Sequence, residues 1–438
     1  MQQVSNALAT SASAPRIVVV GGGAGGLELV SRLGRTVGRT GRAQVVLVER
    51  RATHVWKPQL HEVATGTQVD DGLNYAAHSQ RHHYRYEPGE VTALDRAQRT
   101  LTLASLHGPD GAQVCGERTL GYDLLVLALG SITNDFGTPG VAQFCHMLND
   151  AADAEALNRT LMSRALAVEL GTLERLSVAI VGGGATGVEL AAEIEHVIGE
   201  LRRYGAKRVD TRLDVTVIDA ADRLLATGTQ RMSERAAAVL EQRGVRVVLG
   251  RRVTEARQHA LVFDNGDHLD ADIKVWASGI KGATTGLAQA LPTGKRGQWP
   301  ADATLRSPDD PHIFLLGDCA ACTDANGNPV PSTAQAARQQ AIVLAQSLPR
   351  VLSGAAPLPF IYRDRGTLVS LGKARAVGSL ASAFKHGRDH AVDGAVAKGM
   401  YASLYRLHQA TLVGWPRMLA AIVADTVSRA AKPAVKFY

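Results

Sequence analysis

Cysteine is scarce, with four in 438 residues. They are too few and too scattered for a disulfide framework, which points to a reducing compartment. Long apolar runs are missing too. In the apolar C-terminal region the longest uncharged stretch, Leu407 to Pro416, is half the ~20 residues that a membrane-spanning helix needs. The first fifteen residues are rich in Ser, Ala and Thr and lack a basic end followed by an apolar run. They read as a disordered lead-in rather than a secretory signal. No Ser/His/Asp or metal-ligand constellation is present, so neither nucleophilic hydrolysis nor metal chemistry is indicated. Positive charge is nearly absent as an excess outside the C-terminal region. From Tyr362 to Tyr438 twelve Lys/Arg stand against four Asp/Glu, a net of +8 (12 − 4), whereas the whole chain carries +7. A local basic surface argues against nucleic acid as partner and suits anionic lipid head groups, although a solvated basic tail has the same composition.

What is present is ordinary in bulk and unusual in one respect. A hydrophobic content of 45% and a charged content of 20% fit a globular protein with large cores, and the length predicts two or three domains. The unusual feature is a glycine signature written twice: Val18-Val19-Val20-Gly21-Gly22-Gly23-Ala24-Gly25-Gly26, then Ala179-Ile180-Val181-Gly182-Gly183-Gly184-Ala185-Thr186-Gly187. One Gly-x-Gly-x-x-Gly is a weak signal. Here each copy follows an apolar strand, opens a helix and is answered downstream by a carboxylate. The first glycine allows the tight turn, the second lets the backbone approach a pyrophosphate, and the third lets helix and strand pack closely. The answering carboxylates are Glu49, closing Gln44–Glu49, and Asp219, closing Leu213–Asp219. The second spacing is longer than the usual ~20 residues, which an inserted polar stretch from Arg202 to Arg212 accounts for. Two dinucleotides are what an enzyme passing electrons from a nicotinamide to a flavin requires.

Strands alternating with helices predict an α/β chain with parallel, doubly wound sheets. The domains expected are a lead-in over 1–15, a first dinucleotide-binding part over 16–148, an inserted second dinucleotide-binding domain over 149–300, the resumed first domain over 301–356, and a C-terminal segment over 357–438. Each of the first two dinucleotide-binding parts ends on an apolar strand and a glycine, at Tyr122–Ser131 and Ile273–Ile280, and Ile313–Asp318 adds another such strand before a helix from Ser332 to Leu348. In the C-terminal segment Tyr401, Leu404, Tyr405, Leu407, Leu412, Val413, Trp415, Met418, Leu419, Ile422 and Val423 are interrupted by charges and by Pro416, which should kink or divide a helix. Such a segment suits lying on a membrane without crossing it; a helix pair docking against a second copy of the chain shows the same pattern. Cys319 and Cys322 have Cys-x-x-Cys spacing without a second metal pair, and packing is the plainer reading.

These residues also carry a family resemblance. The stretches VVVGGGAGGLEL, HVWKPQLHEVATG, LVLALGSITNDF, AIVGGGATGVELAAE, VWASGIK, IFLLGDCAAC, AQAARQQA, LVSLGKARAVGSL and SLYRLHQATLVGW resemble those of bacterial type II, non-proton-pumping NADH:quinone oxidoreductases, from about Arg16 almost to the C-terminus. The resemblance implies the two-dinucleotide-binding flavoprotein fold, with two Rossmann-like domains and a membrane-associating C-terminal segment. It implies one FAD per chain, its pyrophosphate held by Gly21, Gly23 and Gly26 and its ribose by Glu49. Val91, Lys57 with Pro58, Gly130 and Asp318 would lie along the same cofactor. NADH would be held by Gly182, Gly184, Gly187, Asp219 and Gly279. Glu189 would sit near the nicotinamide and flavin, and Gln335 and Gln339 would line the quinone side. For Glu189 a favourable place near a helix N-terminus is the competing explanation, and Gln335 reads equally as an ordinary helix residue. A carboxylate at Asp219 favours NADH over NADPH. The implied setting is the cytoplasmic face of the bacterial inner membrane, peripherally bound, with electrons passing to a membrane quinone of a respiratory chain. The alternatives are a sulfide:quinone type of flavin-dependent reductase, which the second glycine motif opposes, and a non-catalytic NADH-sensing flavoprotein.

Overall fold

The computed structural model describes residues 14–67, 72–284, 287, 289–294, 296–372, 375–380 and 390–431. The expected lead-in falls outside them except for its last two residues. Contacts divide the chain into two compact units. Met1–His54, Leu73–Gly130 and Thr284–Tyr362 make the first; Val55–Gly72, Ser131–Ala283 and Arg363–Tyr438 make the second.

The first unit is built on a six-stranded sheet in the order Arg306–Ser307, Asp310–Leu315, Leu124–Leu127, Arg16–Val20, Gln44–Glu49, Arg85–Pro88. All neighbours are parallel except the short first strand. Ile17, Val18, Val19, Leu125, Val126 and Leu127 are fully enclosed. Such unbroken β-branched and leucine runs are what a parallel sheet covered on both faces selects. The helix Ala24–Leu33 leaves the central strand and packs along Ala334–Leu352, where a Cβ on Gly25 would meet the Ala337 methyl at 3.2 Å.

The second unit repeats the plan. Its parallel sheet runs His146–Met147, Ile273–Trp276, Leu176–Val181, Leu213–Ile218, Arg246–Val248. The correspondence reaches individual hydrogen bonds. Val20 pairs with Val48 and Leu127, and Val181 pairs with Ile218 and Trp276. Beyond these pairs the Gly21 amide donates to Val48 O (2.9 Å), as the Gly182 amide donates to Ile218 O (2.7 Å). The long helix Ala151–Leu170 precedes the sheet, capped by the Asp150 carboxylate on the Asp153 amide and ended by Gly171 at φ 79°. The polar stretch from Arg202 to Arg212 runs from the end of the second motif helix, Ala185–Arg203, to its carboxylate strand, and Arg208–Thr211 within it forms a short helix.

The C-terminal segment holds more than helices. It opens with an antiparallel sheet, Thr367–Ser370, Ala376–Leu380 and His390–Asp393, before the helices Gly394–Val413 and Trp415–Ala431. The expected division near Pro416 occurs, but at Gly414 (φ 86°). Pro416 occupies the first turn of the next helix, where its missing N–H costs nothing. Within this unit Trp56 stacks on His408 with ring centroids 4.2 Å apart, tying Val55–Gly72 to the first of these helices. No helix among the described residues is long and apolar enough to cross a membrane.

Candidate active site

In the first glycine turn, Gly21 has φ 103°, and a Cβ there would lie 2.4 Å from Ala128 O. A Cβ on Gly26 would lie 1.9 Å from Gly21 O, so helix and strand are in backbone contact. Gly23 differs: nothing lies within 4 Å of the position its Cβ would take, and no side chain caps the helix it opens. The turn thus offers bare, uncapped helix amides to open space. Glu49 is held against it, its Oε2 accepting from the Gly22 amide (2.7 Å) and its Oε1 from the Arg51 amide (3.1 Å).

The second turn has the same design. Gly182 has φ 119° with Ala277 backbone 2.7 Å from its would-be Cβ, Gly187 meets Gly182 O at 1.9 Å, and Gly184 faces nothing within 4 Å and is uncapped. Asp219 Oδ2 accepts from the Gly183 amide and Oδ1 from the Ala221 amide (2.8 Å). The nearest downstream arginine, Arg223, donates to the carbonyls of Gly228 and Ala226. Anions at uncapped helix N-termini need no further donor, so both turns fit a dinucleotide pyrophosphate.

The other residues singled out from sequence distribute as follows. Gly130 (φ 73°) and Asp318 follow adjacent parallel strands, at the edge of the sheet where the first turn lies. Val91 opens a strand of a separate three-stranded sheet just after Gly89, whose amide donates to Glu49 O. Lys57 groups with the second unit, where its Nζ donates to Ser131 O (2.6 Å). Gly279 (φ 70°) has the Phe136 ring 2.6 Å from its would-be Cβ. Gln335 and Gln339 are half-buried on Ala334–Leu352, and Gln335 Nε2 donates to Tyr362 Oη (3.1 Å). Their neighbour Gln340 carried no signal in sequence, yet it is buried and accepts from the Gly317 amide (2.8 Å), pinning the Gly317–Cys319 turn. Cys319 does not open a helix. It closes that turn, its thiol enclosed and pushed up to about 11 by burial, while burial takes Cys322 to about 12. Both are free thiols, and neither is prone to form a thiolate.

Glu189 departs most from its expected setting. It lies past the first turn of its helix and is only 7% exposed. Its Oε1 accepts from the Ser370 amide (2.9 Å), the Tyr401 hydroxyl hydrogen-bonds the same carboxyl, and its Oε2 is 3.5 Å from His61 Nδ1. Burial pushes it up to about 8, aided by the charge of Glu62 and opposed by the hydrogen bonds from Ser370 and Tyr401 and by Lys398. At neutral pH Glu189 is therefore an acid with a proton to give, and a helix dipole does not explain it. His61 lay within a motif noted in sequence, but nothing there marked it as a partner of Glu189. Ser370 comes from a sheet that was not foreseen, and Lys398 and Tyr401 from a helix read only for its apolar face.

Comparison with known proteins agrees with this geometry. The family model "Pyridine nucleotide-disulphide oxidoreductase" matches residues 15–341. A type II NADH:quinone oxidoreductase of Haemophilus influenzae is 38% identical over 444 residues, spanning 96% of this chain and 99% of that one. One from Staphylococcus aureus is 29% identical over 377 residues, covering 83% and 89%. Among solved structures, NDH2 of Plasmodium falciparum in complex with NADH superposes with a TM-score of 0.74 at 18% identity, over 90% of this chain and 94% of that one. The sulfide:quinone oxidoreductase of Aquifex aeolicus gives 0.70 at 17%, over 92% of each. The two superpositions share one fold and do not choose between the activities; the sequence relatives do. The chain therefore belongs to the pyridine nucleotide-disulphide oxidoreductases and, within them, to the type II NADH:quinone oxidoreductases.

Proposed function

We propose that this NADH:quinone oxidoreductase works with FAD bound at the first glycine turn and NADH at the second, and that Glu189 delivers the proton which quinone reduction draws from water. The observation that carries the reading is the repeated open, uncapped glycine turn with a carboxylate fixed beside it. Bound flavin would supply the two-electron chemistry. The protein's task is to hold and aim. Gly21, Gly23, Gly26 and Glu49 would grip one nucleotide, with Asp318, Gly130, Val91 and Lys57 along it; Gly182, Gly184, Gly187, Asp219 and Gly279 would grip the other. Gln335 and Gln339 would line the quinone side, with positioning as the main source of rate.

Asp219 tests the nucleotide assignment. Its carboxylate accepts hydrogen bonds from ribose hydroxyls and repels a 2′-phosphate, and Arg223 is already engaged. The wild-type protein should bleach its flavin with NADH far faster than with NADPH and recover colour on adding a soluble quinone analogue. Asp219→Ala should cut the NADH preference by about tenfold or more, the value of a charge-assisted hydrogen bond. A wild-type preference for NADPH would reverse the assignment.

The proposed membrane contact is the last described helix. Trp415, Leu419 and Val423 recur every fourth residue and are 61%, 55% and 63% exposed, while Met418 turns inward. One apolar stripe facing solvent, in a segment with excess positive charge, suits an anionic lipid surface. Placing Glu at both Trp415 and Leu419 should weaken sedimentation with anionic vesicles by about a hundredfold, each side chain supplying roughly 1.5–3 kcal/mol. Unchanged co-sedimentation would place the contact elsewhere.

A further inference from the structure

Reduction of a quinone by NADH balances as NADH + H⁺ + quinone → NAD⁺ + quinol. The nicotinamide contributes two electrons and one proton, so one further proton comes from water at each turnover. If Glu189 gives that proton, as proposed above, it must be reloaded, and it is enclosed. The second unit contains a route. Two consecutive residues of the helix Leu60–Thr65, His61 and Glu62, lie near it. His61, 3% exposed, has Nδ1 3.5 Å from Glu189 Oε2 and Nε2 3.9 Å from Glu62 Oε1. Glu62 reaches solvent, its side chain 19% exposed. His61 Nε2 is itself buried and has no hydrogen-bond partner. An unsatisfied buried ring nitrogen is costly if it serves packing alone.

We infer that Glu62 and His61 form a proton relay that reloads Glu189 from solvent, with Nε2 of His61 as the receiving atom and Nδ1 as the releasing one. A proton taken up from water by the Glu62 carboxylate passes to Nε2 as the Nδ1 proton passes to Glu189 Oε2. Glu62 is left as the carboxylate, and the ring, now protonated at Nε2, must turn to bring that proton towards Glu189 before the next transfer. The imidazolium is not a resting stage. Burial, with the Lys398 charge added, pulls His61 down to about 3, against a hydrogen bond to the Pro58 backbone. Arrival and departure must therefore be concerted, once small shifts close the 3.9 and 3.5 Å separations to hydrogen-bond contact. The other groups facing Glu189 are less suited. Ser370 offers its backbone amide, the Tyr401 hydroxyl is raised far above its ordinary value by burial, and Lys398 is turned to Ser370 Oγ at 2.8 Å.

The test uses the flavin-loaded protein and two readouts. The carboxylic C=O stretch of Glu189 is identified by its loss in Glu189→Gln, and its shift after mixing into D2O reports how fast that proton exchanges. Stopped-flow absorbance gives flavin bleaching by NADH and colour return with a soluble quinone analogue. Glu62→Gln and His61→Gln should each slow the exchange and the colour return relative to bleaching by at least about tenfold, below the usual worth of a general acid. Both should also raise the solvent isotope effect on colour return, and formate should partly restore Glu62→Gln. Glu62 is partly exposed, so its variant keeps the fold whatever happens at His61. If exchange and colour return keep wild-type rates in Glu62→Gln while Glu189→Gln is slow, the relay is wrong and Glu189 stands. If Glu189→Gln itself reduces quinone normally, the role of Glu189 falls, and the relay with it.

Discussion

Gly26→Ala should purify without flavin colour, whereas Gly187→Ala should stay yellow but no longer bleach with NADH. Both substitutions add one methyl at a point where backbone already touches backbone, 1.9 Å from the carbonyl oxygen of Gly21 or Gly182. A helix cannot yield there without lifting its N-terminus off the strand, and a shift of roughly 1 Å in a positioning element costs on the order of a hundredfold. The turns sit in different compact units, so each methyl should empty one nucleotide site and leave the other. Visible absorbance per polypeptide reads the first effect and anaerobic NADH titration the second, with circular dichroism showing that the variants are folded. If the two variants lost the same ligand, the assignment of one nucleotide to each turn would fail.

Glu189→Gln should lower quinone reduction by about a hundredfold or more, the usual contribution of a general acid, while flavin stays bound. The wild-type rate of that step should fall as pH climbs past about 8, where the carboxyl gives up its proton to solvent, and the variant should lose this limb. Stability offers an independent check. Burial raises Glu189 above its ordinary value of 4.5, so between there and about 8 the folded protein holds a proton that the unfolded chain has released. Stability from this group is therefore complete below pH 4.5 and is lost as pH rises through about 8. A glutamine cannot ionise. The variant should gain on the wild type across this window by on the order of a few kcal/mol, read from denaturant midpoints at several pH values. Parallel curves would mean that Glu189 titrates at its ordinary value.

Much of this molecule was legible because its central devices are local. A glycine turn, its preceding β-branched strand and the following carboxylate strand span residues 16–49 in one copy and 176–219 in the other, so spacing alone reveals them. The polar stretch that the sequence marks in the longer interval before Asp219 is only partly regular, with Arg208–Thr211 helical. The surroundings of Glu189 were not legible. Its partners come from residues 61–62, 370 and 398–401, brought together by packing over distances that no period or motif encodes. The sheet opening the C-terminal segment was missed for a similar reason. Its strands are four or five residues long, and the apolar helices after it dominate the texture. Gln340 shows the limit most plainly: beside Gln339 in sequence, it is enclosed and bound to the Gly317 backbone amide.

The fastening of Glu49 and Asp219 to the middle amide of their own turns bears on how readily the enzyme can be charged. Each carboxylate is fixed by a bond within the polypeptide. On the proposed assignment an incoming nucleotide would spend little of its affinity on ordering these two side chains.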